Sequence, residues 1–182
     1  MTSTSSVDVP GALLLATDFA AAKHRGQRRS DDSPYINHPI AVATLLAVEG
    51  GVADVDLLCA AVLHDTLEHT HTTTEEIAGL LNSAVANLVL EVTDQQSLPL
   101  AERELLQIDT VTRLSVGARL IKLADICCNL TELLQRQPLL WTLARKQACF
   151  DSAARTLAAL RGTHPALEAR LDALLARRIE LY

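Results

Sequence analysis

The stretch Cys59-Ala60-Ala61-Val62-Leu63-His64-Asp65-Thr66-Leu67-Glu68-His69-Thr70 decides both the fold and the chemistry of this chain. Its first half is an apolar run that reads as the core face of a buried helix. It then places His64 beside Asp65, with Glu68 one turn further on. A neutral imidazole next to a carboxylate is costly to bury unless both groups bind something, and a divalent cation satisfies both at once. On a continuous helix His64 and Glu68 share a face, so a metal ligand and a general base would point into one pocket. A His-Asp pair on its own is equally the signature of a hydrogen-bonded pair at a helix end, so the rest of the chain has to decide.

With 182 residues the chain is long enough for one domain with a full core. Apolar residues make up 49% and aromatics only 3%, so that core is built from Leu, Ala and Val, a helix-forming palette. The few Gly and Pro residues disfavour an all-β fold, and the expectation is an all-α bundle. A net charge of -6 argues against broad attraction to nucleic acid. Cys59, Cys127, Cys128 and Cys149 lack metal-like spacing and read as reduced thiols of a cytoplasmic protein. No run is apolar enough to span a membrane, and the N-terminus does not read as a signal peptide. Residues 1–10 read as a disordered tail and 11–182 as the domain.

Outward from the central stretch, helical patterns are expected over residues 12–24, 40–48, 84–93, 100–114, 116–134, 141–160 and 165–181. Pro39 suits a first helical position, with His38 or Asn37 as cap, and Gly50-Gly51 ends that helix. Asp54 caps the central helix, which is expected to run to about Thr70. Thr73 and Glu76 form a capping box, and Asn82 caps the helix after it. Lys23 to Arg29 is the densest positive cluster in an acidic chain, either a solvated helix end or a phosphate-binding segment. Asp125 and Asn129 share a face of an otherwise apolar helix, with Lys122 a turn before. His38, His64, Asp65 and Asp125 thus offer a mixed nitrogen and oxygen set from three helices, suited to Mn²⁺, Fe²⁺ or Zn²⁺ with positions left for water. A basic segment beside such a set suggests a small polyphosphorylated substrate.

In this order, His24-Arg25-Gly26-Gln27-Arg28-Arg29, Pro34-Tyr35-Ile36-Asn37-His38-Pro39, Ala61 to Glu68, Glu91-Val92-Thr93-Asp94 and Lys122 to Leu130 resemble the hydrolase domain of the RelA/SpoT homologues, above all the stand-alone small alarmone hydrolases. The resemblance spans about residues 16 to 165. It implies a single all-α HD-domain bundle and Mn²⁺-dependent removal of the 3′-pyrophosphate from (p)ppGpp. It further implies that His38, His64, Asp65 and Asp125 are metal ligands, that Glu68 is catalytic, and that Asn129 and Arg29 contact the nucleotide. Arg25, Arg28 and Lys122 are counted with them as substrate-binding candidates, and His69 as Glu68's catalytic partner.

The chain departs from the family pattern at His69, where many members carry a second acid, at Gln95-Gln96, where lysine is common, and at Glu104, where a basic residue is usual. Those changes leave the adenosine alarmones, or another phosphorylated nucleotide such as NADPH, as alternative substrates, and a non-catalytic nucleotide-binding HD module as a different class of reading. The apolar C-terminal helices permit a homodimer.

Overall fold

The centre of the molecule, a computed structural model, is the helix that carries the Cys59 run, and every neighbour packs to cover it. The structure describes residues 9–93, 111 and 113–182. In chain order the helices are α1 Val9–Lys23, α2 Asn37–Val48, α3 Val55–Leu63, α4 Thr66–His69, α5 Thr74–Leu80, α6 Ser83–Val92, α7 Val116–Gln135, α8 Leu143–Leu160 and α9 Pro165–Ala176, followed by a 3₁₀ turn, Arg177–Glu180. The expected all-α class holds, with no named strand among the described residues.

Helix α3 packs against α1, α2, α6 and α7, while α7 also packs on α8 and α9. Leu46 of α2, Leu63 of α3, and Ile121 and Leu123 of α7 are fully buried, so each helix that brings a candidate ligand has its own apolar anchor. Removing such side chains from water stabilises by roughly 1.5–3 kcal/mol each. Two glycines permit close approaches. A Cβ on Gly50 would stand 2.6 Å from the Leu46 carbonyl oxygen, where α2 ends. One on Gly117 would meet Leu88 at 3.0 Å and Leu57 at 3.3 Å, where α7 begins against α6 and α3.

The capping residues read from sequence are in place. The side chains of Asp54, Thr73 and Asn82 accept from Leu57, Glu76 and Val85 backbone N–H groups, and the capping box at Thr73 is complete. Four expectations change. Helix α1 starts at Val9, ahead of the start expected at residue 12, so Pro10 and Gly11 belong to its first turn. Helix α2 starts at Asn37 behind Ile36, without a side-chain cap; Pro39 still fits because first-turn N–H groups have no partner within a helix.

The central helix does not run on to Thr70. It ends at Leu63, and α4 begins after a turn at His64 and Asp65. Side chains take over the carbonyls there: His64 Nδ1 donates to Ala61 O at 2.8 Å and Thr66 Oγ1 to Leu63 O at 2.7 Å. The last helix closes as a 3₁₀ turn over its final residues. The helix expected over 100–114 and the loop at 94–99 fall almost wholly outside the described residues.

Candidate metal centre

His38 comes from the first turn of α2, His64 and Asp65 from the turn between α3 and α4, and Asp125 from the middle of α7. Ligand atoms of His38, His64 and Asp65 all lie within 4.8 Å of one another. Asp125 closes the cluster from the α7 side: its Oδ1 is 3.0 Å from His38 Nε2 and 3.8 Å from His64 Nε2. A backbone carbonyl only accepts, so His64 Nδ1 carries a proton on its bond to Ala61, and Nε2 is the atom that can offer a lone pair to a cation. That Nε2 is buried and has no hydrogen-bond partner, although Asp65 Oδ1 is 3.2 Å away. A buried lone pair facing carboxylates fits a cation. Two imidazoles and two carboxylates could hold a divalent metal.

Without a cation the same groups lean on one another. Burial works against a charged His38, but the hydrogen bonds to Asp125 and Glu132 outweigh it and raise the imidazole to about 9. Burial also opposes the Asp125 charge, yet His38, His64 and Lys122 hold its carboxyl well below the usual range. Asp65 is lowered as well, with burial overcome chiefly by His64.

A shell of four residues that the sequence reading did not single out supports the ligands. Tyr35 donates its hydroxyl to Asp65 Oδ2 at 2.8 Å. His24 stacks on the Tyr35 ring at 4.7 Å, Gln27 pairs with His24 Nδ1 at 2.8 Å, and Gln27 also donates to the His69 carbonyl at 2.7 Å. Glu132 Oε1 stands 2.9 Å from His38 Nδ1. Helical spacing could have found Glu132, seven residues beyond Asp125 on the same face of α7. Tyr35, His24 and Gln27 lie inside the motifs that carry the resemblance, but no spacing pointed to their contacts, which depend on how the loop after α1 folds back.

Glu68 and His69 line a cavity of about 160 Å³ together with His38, His64, Asp65 and Tyr35. His69 Nε2 lies 3.7 Å from Glu68 Oε1 and 4.0 Å from Asp65 Oδ1, beyond a direct hydrogen bond but within ion-pair range. Beside it opens a second cavity of about 500 Å³ between α7 and α8, walled by Trp141, Arg145, Arg136 and Cys149. Arg29, Lys122, Asp125 and Asn129 line both. Arg25 and Arg28 are exposed and line neither; Arg28 donates instead to the Asp32 carbonyl at 3.1 Å. Gln95, Gln96 and Glu104 lie outside the described residues.

Helices that converge a histidine, a His-Asp pair and an aspartate on one point define an HD-type metal-binding domain. The HD domain family matches the chain over residues 16–151. Guanosine-3′,5′-bis(diphosphate) 3′-pyrophosphohydrolase MESH1 of Danio rerio is 46% identical over 170 residues, covering 92% of this chain and 94% of that protein. The Homo sapiens protein of the same name is 46% identical over 168 residues, with 91% and 94% covered. A solved structure described as a metazoan ortholog of SpoT that hydrolyzes ppGpp superposes with a TM-score of 0.89 at 41% identity, over 93% of this chain and 97% of that one. The chain belongs to the HD domain family and, within it, to the small RelA/SpoT homologues.

Proposed function

We propose that this chain is a metal-dependent hydrolase that removes the 3′-pyrophosphate from nucleotide alarmones such as (p)ppGpp. The observation that carries the reading is the wall the two cavities share: a His/Asp cradle and a neighbouring cleft of about 500 Å³ are both lined by Arg29, Lys122, Asp125 and Asn129. The relatives at 46% identity named for this reaction support it.

His38, His64, Asp65 and Asp125 would hold the cation, for which the mixed donor set suits Mn²⁺. Bound there, a divalent ion supplies charge stabilisation at the phosphoryl group and lowers the pKa of water to near neutrality. Glu68, on the wall of the same cavity, accepts the proton of the attacking water. His69, partly exposed beside it, exchanges that proton with solvent or the leaving pyrophosphate. Arg29 and Lys122 bind phosphate charge, and Asn129 orients the nucleotide. Among the described residues no helix is long and apolar enough to cross a membrane.

A second reading, hydrolysis of adenosine alarmones or of NADPH, is favoured by His69 in place of the family's second acid. A panel of ppGpp, pppGpp, ppApp, pppApp and NADPH with Mn²⁺, assayed for released pyrophosphate or phosphate, separates the two. Turnover of the guanosine compounds with pyrophosphate release is expected. Glu68→Gln in the same assay should retain Mn²⁺ and nucleotide and lose about 10²–10⁴-fold in kcat. Parent-level turnover by that variant would remove Glu68 from the mechanism, and no turnover of any compound would leave a non-catalytic binding module.

A further inference from the structure

We propose that Glu132 is a positioning residue that couples the metal centre to the nucleotide cavity, by orienting His38 with one carboxylate oxygen and Arg29 with the other. Its Oε1 is 2.9 Å from His38 Nδ1. Its Oε2 accepts from Arg29 Nε at 3.0 Å and Arg29 Nη2 at 2.7 Å. An ionised carboxylate only accepts, so the first contact keeps a proton on His38 Nδ1 and turns Nε2, as the lone-pair atom of the neutral ring, toward the cation position. The second contact is a fork that fixes the guanidinium plane at the junction of the two cavities.

The connections close into a ring. Arg29 Nη2 donates to Asn129 Oδ1 at 2.7 Å, Asn129 Nδ2 donates to Asp125 Oδ1 at 2.7 Å, and Asp125 Oδ1 meets His38 Nε2 at 3.0 Å. Two candidate metal ligands and two candidate nucleotide contacts therefore share one hydrogen-bond circuit, in which Glu132 links Arg29 to His38 by two bonds from the arginine and Asn129 links it to Asp125 by one. A simple surface ion pair does not account for it. The Arg29 side chain is 19% exposed, Glu132 33%, and His38 only 1%.

A cation that holds His38 in its ligating orientation also holds Glu132, and through it presets Arg29 for the nucleotide. Linkage makes the effect mutual: the nucleotide tightens the metal by the same factor. The metal half stands on the site geometry alone. The nucleotide half rests on the function proposed above.

The test uses the metal-stripped full chain, its Glu132→Ala and Glu132→Gln variants, and two probes: Mn²⁺, held at defined free concentration by a metal buffer, and GDP, which has no 3′-pyrophosphate to lose. Mn²⁺ affinity should fall about 10–100-fold in Glu132→Ala. For the parent, GDP affinity should rise with Mn²⁺ by about 5-fold or more. That ratio should fall at least about twofold in Glu132→Ala, any remainder being carried by the Arg29–Asn129–Asp125 link. It should fall likewise in Glu132→Gln, since a single amide carbonyl serves His38 or Arg29 but not both. Parent-level Mn²⁺ affinity in a folded Glu132→Ala overturns the His38 half. If that variant does not fold, the isosteric Glu132→Gln decides, and a parent-like ratio there overturns the coupling. A parent that binds GDP equally with and without Mn²⁺ also overturns it. A parent that binds no GDP at all removes the nucleotide half together with the substrate assignment, while the Mn²⁺ titration still decides the role at His38.

Discussion

At the scale of single residues, His38 carries the sharpest conflict in the molecule. It is 1% exposed, yet Asp125 and Glu132 on its two nitrogens favour the imidazolium. Its pKa stands at about 9, above the ordinary 6.5, so the sign of the pH effect follows. In the metal-stripped chain the pairing stabilises the fold fully below about pH 6.5 and is lost as pH rises through 9. Thermal unfolding in chelator should therefore show a melting temperature that declines from pH 7 to about pH 9.5. His38→Asn should flatten that decline, and a parent curve already flat would remove the charged pair. Mn²⁺ must displace the same proton, so its binding below pH 9 should release acid into a weakly buffered solution.

At the scale of elements, the turn between α3 and α4 matters most, because it aims His64, Asp65, Glu68 and His69 into one cavity. Periodicity did not reveal it, since the apolar pattern continues through Leu67 and only two side-chain hydrogen bonds to carbonyls mark the end of α3. Helix starts were legible at Asp54, Thr73 and Asn82, where a short polar side chain meets an orphan N–H and little else competes. The four candidate ligands stood out in the sequence as polar groups in apolar surroundings, and the fold brings them together. Glu132 was legible only as sharing the Asp125 face of its helix; its role was not, because a glutamate near a helix end looks solvated until His38 and Arg29 are seen to face it. The basic cluster at residues 23–29 also divides in a way that sequence did not show: Lys23 pairs with Glu76, Arg29 turns inward, and Arg25 and Arg28 stay exposed. Asp54 gives a prediction at this scale. Asp54→Ala removes the bond to Leu57 N that starts the His64-bearing helix. It should cost about 1 kcal/mol, seen as a melting temperature lower by about 2–4 °C, with kcat unchanged well below the transition.

Across the whole molecule, the candidate ion site sits on a fold with its own apolar core. Each helix that carries or leads into a candidate ligand is fixed by fully buried apolar residues, Leu46, Leu63, Ile121 and Leu123 among them, and the three helices pack directly on one another. This differs from small metal-nucleated domains, where the binding energy is itself the folding energy. Chelation should therefore abolish hydrolysis while the far-UV helical spectrum persists. The lost ion should still appear as lost stability, because a ligand that binds only the folded chain at 100 times its Kd contributes about 2.7 kcal/mol. In a domain of this size that corresponds to about 5–11 °C in melting temperature. Titrating Mn²⁺ back should restore the shift in the parent and not in His64→Ala, whose missing Nε2 is the buried lone pair that has no other partner. An equal shift in both proteins would mean that the ion binds elsewhere on a chain of net charge -6, and the assignment of the His/Asp cradle would fail.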